Sequence, residues 1–297
     1  MRRAPTAAPS RDGPRREARV TQVDPELYAL RPWYHDFGVF GFDTTFLGVP
    51  LTLEERMQRT VEVLGSRLTR IRPGRQTSPV GREGASRFRD VVRRVPSPHL
   101  LNQPVKERHL MRFVERALSG LGSRPNCLEL FSADGYYSCR IRMLAPDARI
   151  TGIELDPDHI RRAETIARRL AFANVRFRRS DVRAFLEAST ERYDLVLCAG
   201  GLYHVSDPAR LLEAVRRVGD RYLVVQSVVT LETEDRDYFV QPAKGWRHGC
   251  RFTHRWLAAR LEEVGWHIIE AARAELPGNH RPHDRGSSFF LCQAAAR

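Results

Sequence analysis

Hydrophobic and polar positions alternate in regular blocks from Asn126 to the C-terminus. Short apolar runs end in small or acidic residues, and helical patterns such as Pro208–Val218 and the helix capped by Thr253 follow them. Strands that alternate with helices predict a mostly parallel sheet, and a final pair joined by a short polar loop predicts an antiparallel last strand. The predicted strands are Cys127–Leu130, Ala148–Ile153, Val175–Phe177, Tyr193–Cys198, Tyr222–Val228, Trp266–Ala272 and Ser288–Gln293.

An acidic residue lies near the C-terminal end of each of the first three predicted strands. The first strand contains Glu129 and leads through a turn with Gly135 into a helix, an arrangement typical of nucleotide-binding turns. Glu154 ends the second strand, where an acid binds ribose hydroxyls in doubly wound sheets. Asp181 follows the third strand and would lie beside an adenine amino group. The order of these residues predicts a nucleoside-like ligand at one edge of the sheet.

This order of acids, glycine turn and fourth-strand loop resembles the class I S-adenosylmethionine-dependent methyltransferases, from Lys106 to the C-terminus. The resemblance implies a Rossmann-like α/β fold with a mostly parallel seven-stranded sheet, methyltransferase activity and S-adenosylmethionine as cofactor. Phe131 and Ala133 stand where that family most often has glycine, which leaves less room for a ligand beside the backbone. The implied cofactor-binding residues are Glu129, Phe131, Ser132, Ala133, Gly135, Glu154, Leu155, Asp181, Val182 and Ala199.

Two shorter motifs carry a narrower resemblance, to the branch that contains the tRNA wobble-uridine carboxymethyltransferases. They are Trp33-Tyr34-His35 with Phe37, Gly41 and Asp43-Thr44, and Gly201-Leu202-Tyr203-His204 with Asp207-Pro208. Those enzymes use a carboxylated form of S-adenosylmethionine. Their tryptophan-rich, lysine-bearing segment has no counterpart here, so ordinary S-adenosylmethionine is the expected donor.

Three residues are candidates for the chemical step. Ligands of open α/β sheets bind beyond the carboxyl ends of the strands, which favours Tyr203 and His204 in the loop after the fourth strand. A histidine can accept a proton near neutral pH, and His35 could close over the site from the N-terminal segment. The alternative for each is a structural role: His204 at the start of the next helix, Tyr203 packed under a lid, and His35 in a core-edge aromatic cluster.

The chain divides into three predicted parts. Residues 1–20 form a disordered tail rich in Arg, Pro and Ala, residues 21–105 form an aromatic and helical extension or lid with an arginine-rich linker, and residues 106–297 form the cofactor-binding domain. Helical spacing predicts helices over Leu53–Leu68 and Val105–Leu118, and the Pro, Gly and Arg content of Arg72–Gly84 predicts a loop.

Positive charge is concentrated before the predicted domain. Of the formal net charge of +13, residues 1–125 contribute +10, from 23 Lys and Arg against 13 Asp and Glu. Nine arginines between Arg67 and Arg94, opposed by two acids, could neutralise the phosphates of RNA. The alternative is a solvated, arginine-biased linker, because no aromatic stacking residues interleave the cluster.

Composition excludes several classes. No apolar run reaches the roughly 18 residues that predict a membrane span, and the start lacks the apolar centre of a secretory signal. Five cysteines without metal-ligand spacing favour a reducing cytoplasm. His280, His283 and Asp284 lie in one loop, but their spacing is weak support for a metal site, and none is predicted.

Three functions fit this sequence. The leading hypothesis is O-methylation of a small-molecule metabolite, because the N-terminal aromatic residues suit an enclosing pocket. The second is methylation of tRNA or another RNA, which the Arg67–Arg94 cluster supports. The third is a cofactor-binding scaffold without catalysis, because the Phe131-Ser132-Ala133 turn is atypical of the family.

Overall fold

The structure of the chain, a computed structural model, describes residues 24–42, 44 and 98–295. The helices are α1 Pro25–Ala29, α2 Pro98–Ser119, α3 Tyr136–Leu144, α4 Pro157–Arg169, α5 Val182–Ala188, α6 Pro208–Val218, α7 His254–Glu263 and α8 Pro282–Arg285. The strands are β1 Asn126–Leu130, β2 Arg149–Glu154, β3 Val175–Arg179, β4 Tyr193–Ala199, β5 Gly219–Val229, β6 Phe239–Val240, β7 Arg251–Phe252, β8 Trp266–Glu275 and β9 Gly286–Ala294.

Seven strands form one sheet in the order β3-β2-β1-β4-β5-β9-β8. Strands β1 to β5 pair in parallel, and β9 is antiparallel to both of its neighbours. The predicted Rossmann-like sheet with an antiparallel last strand is therefore confirmed. The strand order reverses between β1 and β4, and ligands bind in open α/β sheets outside the carboxyl ends of the strands at such a switch point.

Apolar side chains cover both faces of the sheet, as expected for parallel strands. Successive residues of β4 alternate between the two cores: Leu195 and Leu197 pack with α2, α3 and α4, whereas Val196 and Cys198 pack with α5, α6 and α7. Because both faces are buried, the strands read in the sequence as nearly continuous apolar runs.

Capping side chains fix where several helices begin. Asp156, Asp181, Asp207 and Thr253 each accept a hydrogen bond from a backbone N–H in the first turn of α4, α5, α6 and α7 respectively. Asp156 and Asp181 lie two residues after the ends of β2 and β3, and Asp207 follows the β4 exit loop. The caps therefore hold the loops at the carboxyl edge of the sheet, where the switch point lies.

The N-terminal segment Asp24–Phe42 packs on the sheet domain between α2 and α4. Trp33 is fully buried, and its indole N–H donates to the backbone oxygen of Leu27 at 2.9 Å. The Arg162 side chain of α4 donates to Leu30 O at 2.6 Å, and Gln103 of α2 exchanges two hydrogen bonds with the backbone of Asp36. The aromatic extension predicted for this region is thus present and docked.

Several predictions fall outside the described residues. They are the tail over residues 1–20, the helix over Leu53–Leu68, the loop over Arg72–Gly84 and the Arg67–Arg94 cluster. The helix predicted over Val105–Leu118 is longer and begins at Pro98. Among the helices in the described part of the chain, none is long and apolar enough to span a bilayer.

The turn after β1 depends on Gly135, which has φ +78°. We expect Gly135→Ala to lower the free energy of unfolding by about 2–4 kcal/mol, because a left-handed backbone and an overpacked contact each cost about 1–3 kcal/mol. A Cβ atom there would lie 2.6 Å from the Phe177 ring and 2.9 Å from Ala163 Cβ. Urea unfolding measures the change.

Gly122→Ala is the matched control, because a Cβ atom at Gly122 would meet nothing within 4 Å. Equal stabilities of the Gly135 and Gly122 variants would contradict the description of this turn.

Candidate active site

The three predicted acids lie at the carboxyl ends of three neighbouring strands. Glu129 is the penultimate residue of β1, Glu154 ends β2, and Asp181 follows β3 by two residues. Since β3, β2 and β1 are adjacent in the sheet, the acids share one edge beside the switch point. Glu129, Glu154 and Asp181, which the sequence predicts to bind one ligand, therefore lie at the same edge of the sheet.

The turn between β1 and α3 has three residues in the left-handed region: Phe131 at φ 58°, Ala133 at φ 45° and Gly135 at φ 78°. Phe131 and Ala133 therefore adopt the backbone conformation that glycine favours, at a cost of about 1–2 kcal/mol each. Hydrogen bonds hold the turn in place, because Ala133 N–H donates to the Glu154 carboxylate at 2.9 Å. The backbone N–H of Ser132 also donates to Ile153 O at 2.9 Å.

The Phe131 ring was expected to remove room for a ligand. It packs directly against the α-carbon of Gly201 in the exit loop of β4, where any Cβ atom would overlap the ring. It also contacts the core on the face that contains Leu202. The ring therefore fills one side of the β4 exit loop, and Gly201 is the residue that accommodates it.

Glu154 has both carboxylate oxygens on backbone donors. One accepts from Ala133 N–H, and the other accepts from Leu155 N–H at 2.8 Å and Asp156 N–H at 3.0 Å. Glu154 Oε2, which has one donor, can still accept a further hydrogen bond, whereas Oε1 already has two donors. The next side chain, Leu155, is 59% exposed and presents an apolar surface at the same edge.

Asp181 caps α5, with one carboxylate oxygen accepting from Ala184 N–H at 3.0 Å. The Val182 side chain is buried in the core, so its contribution at the strand edge is limited to its backbone. Ala199 is the last residue of β4 and lies half-buried across the switch point from the turn.

Glu129 is almost fully buried and accepts a hydrogen bond from the Ser138 hydroxyl of α3. Burial raises the pKa of Glu129 to about 8, although the hydrogen bonds from Ser138 oppose the shift. Glu129 is therefore protonated at neutral pH in the ligand-free chain.

Asp134, which the sequence analysis did not single out, joins the turn to the N-terminal segment. Its buried carboxylate accepts from Tyr34 N–H at 2.9 Å, from His35 N–H at 2.8 Å and contacts His35 Nδ1 at 2.6 Å. Burial would raise the pKa of Asp134, but the charge and hydrogen bonds of His35 hold it below its usual range. The His35 ring also stacks on Tyr136, 4.9 Å between centroids. These contacts support a positioning role for His35.

Tyr203 and His204 form a short 3-10 turn after β4, with their rings 4.1 Å apart. His204 is exposed to solvent, yet desolvation by the surrounding protein lowers its pKa to about 4, and the charges of Arg251 and Lys106 add to the shift. His204 is thus neutral at pH 7 and a weaker base than a solvated histidine. Burial also raises the pKa of Tyr203 to about 12, so its hydroxyl is neutral.

Lys106 is a functional candidate that the sequence analysis missed. It lies on α2 with its side chain buried near the carboxyl end of β4, and burial lowers its pKa to about 8. A signal was present in the sequence, because Lys106 interrupts the apolar face of α2 three residues after the buried Gln103 and four before the buried Leu110. Polar residues on a buried helix face are unusual unless they have a partner or a function.

Arg251 and Asp284 form a buried ion pair behind Tyr203. The guanidinium group donates to Asp284 Oδ1 at 2.7 Å and lies 5.2 Å from the centre of the Tyr203 ring. Asp284 therefore has a protein partner, and within residues 24–42, 44 and 98–295 no group of three His, Cys, Asp or Glu side chains is arranged for a metal. A cavity of about 430 Å³ opens beside His204. It is lined by His204, Ser206, Gln241, Pro242, Arg247, His248 and Gly249.

The strand edge fits an S-adenosylmethionine-like group in three respects. Glu154 Oε2 can still accept a hydrogen bond from a ribose hydroxyl, and the exposed Leu155 offers a face for a base. The Gln226 amide oxygen of β5 is fully buried and has no hydrogen-bond partner. Seven other buried side-chain atoms of the described residues also have no hydrogen-bond partner, so the argument for a ligand rests on the position of Gln226 opposite Ala199, at the carboxyl end of β4.

Comparison with known proteins agrees with this geometry. Residues 122–264 match a family model described as "Methyltransferase domain". The chain carries a methyltransferase domain. The prediction of a methyltransferase that uses S-adenosylmethionine as its cofactor is thus confirmed. The acceptor is not identified by these comparisons. No curated protein matches the sequence.

Solved structures that are similar to this chain with TM-scores above 0.5 include the following two. Magnesium protoporphyrin IX methyltransferase (ChlM) from Synechocystis PCC 6803, with bound SAH, is 14% identical to this methyltransferase, with a TM-score of 0.53. The match covers 72% of this chain and 95% of that chain. The [4+2]-cyclase SpnF is 16% identical, with a TM-score of 0.51, covering 63% and 82% of the two chains. At these identities the likeness shows the shared fold.

The wobble-uridine branch is not confirmed by these comparisons, and the roles of the individual site residues remain predictions. The predicted division into tail, extension and domain also remains a prediction.

The raised pKa of Glu129 predicts a pH-dependent stability for this methyltransferase. Between its ordinary pKa of 4.5 and about 8, the folded chain holds a proton that the unfolded chain releases, so this residue lowers stability as pH rises. We expect Glu129→Gln to be more stable relative to wild type at pH 8 than at pH 5, measured by urea unfolding at both pH values.

Glu164→Gln on the exposed face of α4 is the control and should show no such trend. A constant difference between the Glu129→Gln variant and wild type at both pH values would contradict the protonated Glu129.

Proposed function

We propose that this methyltransferase transfers the methyl group of S-adenosylmethionine to a hydroxyl oxygen of a small-molecule metabolite. The observation that carries the proposal is the N-terminal segment held over the carboxyl edge of the sheet by Asp134. Tyr34 and His35 bind that carboxylate with three contacts between 2.6 and 2.9 Å. A segment fixed there favours a substrate small enough to be enclosed. The small cavity beside His204 also supports such a substrate.

In this proposal the donor lies along the strand edge. Glu154 Oε2 accepts a hydrogen bond from a ribose hydroxyl, and Leu155, Asp181 and the Val182 backbone contact the base. The turn residues Phe131 to Gly135 and the buried Glu129 lie beside the methionine part, with Ala199 across the switch point. The order of β3, β2, β1 and β4 supports this direction.

The bound donor supplies a methyl group on a sulfonium with a good leaving group. The protein then has to align the acceptor and remove its proton. A neutral His204 can accept that proton, because its lowered pKa leaves the ring unprotonated at pH 7. A weak base is sufficient for this step, because the hydroxyl proton becomes strongly acidic as the oxygen is methylated. The neutral Tyr203 hydroxyl can donate a hydrogen bond that orients the acceptor.

RNA methylation is the second candidate function. The nine arginines between Arg67 and Arg94 and the motifs shared with the wobble-uridine branch favour it. The arginines could bind phosphates without reading a sequence. The balanced charge of residues 126–297, with 26 Lys and Arg against 23 Asp and Glu, gives the domain itself little attraction for RNA.

Methyl-labelled S-adenosylmethionine distinguishes the two substrate classes. The full chain is incubated with the labelled donor and either a metabolite extract or bulk tRNA, and the products are separated by size and analysed by mass spectrometry. We expect the label in a small molecule that has gained one methyl group. Label in tRNA, together with binding that weakens steeply with salt, would instead support the RNA candidate and overturn the proposal.

Glu154→Ala tests the proposed placement of the donor. We expect it to weaken binding of S-adenosylhomocysteine by about 1–3 kcal/mol through the lost hydrogen-bond partner, measured by calorimetry. Glu213→Ala, on the exposed face of α6, should leave the affinity unchanged. Wild-type affinity in the Glu154→Ala variant would show that the ribose does not bind at the end of β2.

A further inference from the structure

Lys106 is a buried cation with no acidic partner in the described part of the chain. The residue is 9% exposed, and no carboxylate of residues 24–42, 44 or 98–295 forms an ion pair with it. Arg251, which is 4% exposed, is paired with Asp284 at 2.6 Å. Buried charges normally have a partner, because desolvation without one is costly. Lys106 is therefore a candidate for binding an anionic ligand.

A second unpartnered group lies beside it. Gln226 of β5 is fully buried, and its amide N–H₂ donates to the Ser287 hydroxyl at 2.8 Å. That bond fixes the amide and leaves Gln226 Oε1 without a donor. A Cβ atom on Gly200 would lie 3.7 Å from Lys106 Nζ and 3.6 Å from Gln226 Oε1. One cation and one acceptor thus converge on the glycine that begins the β4 exit loop.

The strand order indicates which part of a ligand reaches Gly200. With the base at the end of β3, the ribose at the end of β2 and the turn after β1, the next strand along the same edge is β4. Neighbouring strands are about 4.8 Å apart, so the amino-acid end of the donor extends over β1 towards β4. The Phe131 ring fills the Gly201 side of the exit loop, and Lys106 and Gln226 are on the Gly200 side.

From this placement we infer that Lys106 and Gln226 bind the amino-acid head of S-adenosylmethionine. The Lys106 ammonium pairs with the α-carboxylate, and Gln226 Oε1 accepts a hydrogen bond from the α-ammonium. The inference rests on the proposed placement of the donor. Both head groups then find the opposite charge or dipole, and both unpartnered protein groups are satisfied.

The choice of lysine supports the assignment. The chain has 49 lysines and arginines, and Lys106 and Lys244 are its only lysines. A lysine has a compact charge whose pKa shifts on burial, whereas an arginine stays charged. Burial lowers the pKa of Lys106 to about 8, and a bound carboxylate would raise it again. Binding of the donor should therefore weaken above pH 8, where free Lys106 loses its proton.

Two other titratable groups in the described part of the chain face Lys106: His99 of α2 and His204 of the β4 exit loop. Desolvation lowers the pKa of His99 to about 3 and that of His204 to about 4. Both rings are neutral at neutral and alkaline pH, so neither contributes to a change above pH 8. Glu129, whose pKa is also about 8, loses its proton in the same range, and the pH comparison is therefore repeated in the Glu129→Gln variant.

The test compares S-adenosylmethionine with its decarboxylated form, which keeps the sulfonium and the ammonium. Calorimetry is done on the full chain for wild type and Lys106→Met. We expect wild type to bind the carboxylated donor about 10- to 100-fold more tightly, as for a hydrogen bond between charged groups. Lys106→Met should bind both forms with the same weak affinity. The loss of affinity above pH 8 should be absent in Lys106→Met.

Equal losses for both forms in Lys106→Met, or an unchanged preference for the carboxylated donor, would overturn the inference. So would an unchanged donor affinity with a higher KM for the acceptor, because the anion would then belong to the acceptor. If wild type binds neither form, the proposed donor placement fails, and this outcome is distinct from the others.

Two controls keep the comparison interpretable. Lys244→Met removes the other lysine, which is on an exposed loop, and should leave both affinities unchanged. Gln226→Met removes the acceptor and should weaken both forms to a similar extent, because both carry the ammonium. If Lys106→Met does not fold, the test uses Glu129→Gln, in which Glu129 cannot ionise. Loss of the preference for the carboxylated donor above pH 8 in this variant is the expected result, and a preference that persists there would refute the inference.

Discussion

Asp134 is buried inside the turn after β1 and binds a segment that lies about a hundred residues earlier in the chain. Its carboxylate accepts hydrogen bonds from the backbone N–H groups of Tyr34 and His35 and contacts the His35 ring. The matched domain begins at residue 122, so this carboxylate connects it to a segment outside the family match. A buried carboxylate that lost these donors would cost several kcal/mol, which makes the docked segment and the turn interdependent. The position of Tyr34 and His35 over the strand edge is therefore fixed by the same turn that would contact a cofactor.

The acids at this edge differ in charge because their surroundings differ. Glu129 has the Ser138 hydroxyl as its side-chain partner and is protonated at neutral pH, whereas Asp134 is held ionised by His35. Glu154 binds backbone N–H groups on both oxygens. Three carboxylates that were all ionised in one slot would repel one another, and keeping one neutral removes much of that cost. The slot can thus accommodate a cationic ligand without being strongly negative when empty.

The sequence predicted the sheet, its antiparallel last strand and the shared edge of Glu129, Glu154 and Asp181, because strand periodicity and acid position are local signals. It did not predict the partner of Asp134, since hydrogen bonds across a hundred residues leave no local pattern. Lys106 interrupts the buried face of α2 in the sequence, but that it is buried without a partner depends on how α2 packs against β4 and β5. Phe131 shows a third limit. The sequence indicated reduced room, but the accommodation of its ring depends on Gly201 in another loop. His204 was expected to titrate near neutral pH, and desolvation beside two cations lowers its pKa to about 4.

The fold alone does not specify the reaction, since the [4+2]-cyclase SpnF shares it. What distinguishes one member from another is the set of polar groups left unsatisfied at the switch point. Here the polar groups on the two sides of the site differ. The β3 to β1 side is rich in carboxylates with backbone donors, whereas the β4 to β5 side has the buried Lys106 and the unpartnered Gln226 Oε1. Holding such groups desolvated costs stability in the empty protein. A ligand that supplied both missing charges would offset that cost, and this is the physical basis of the inferred zwitterionic head at one end of the site and the proposed nucleoside at the other.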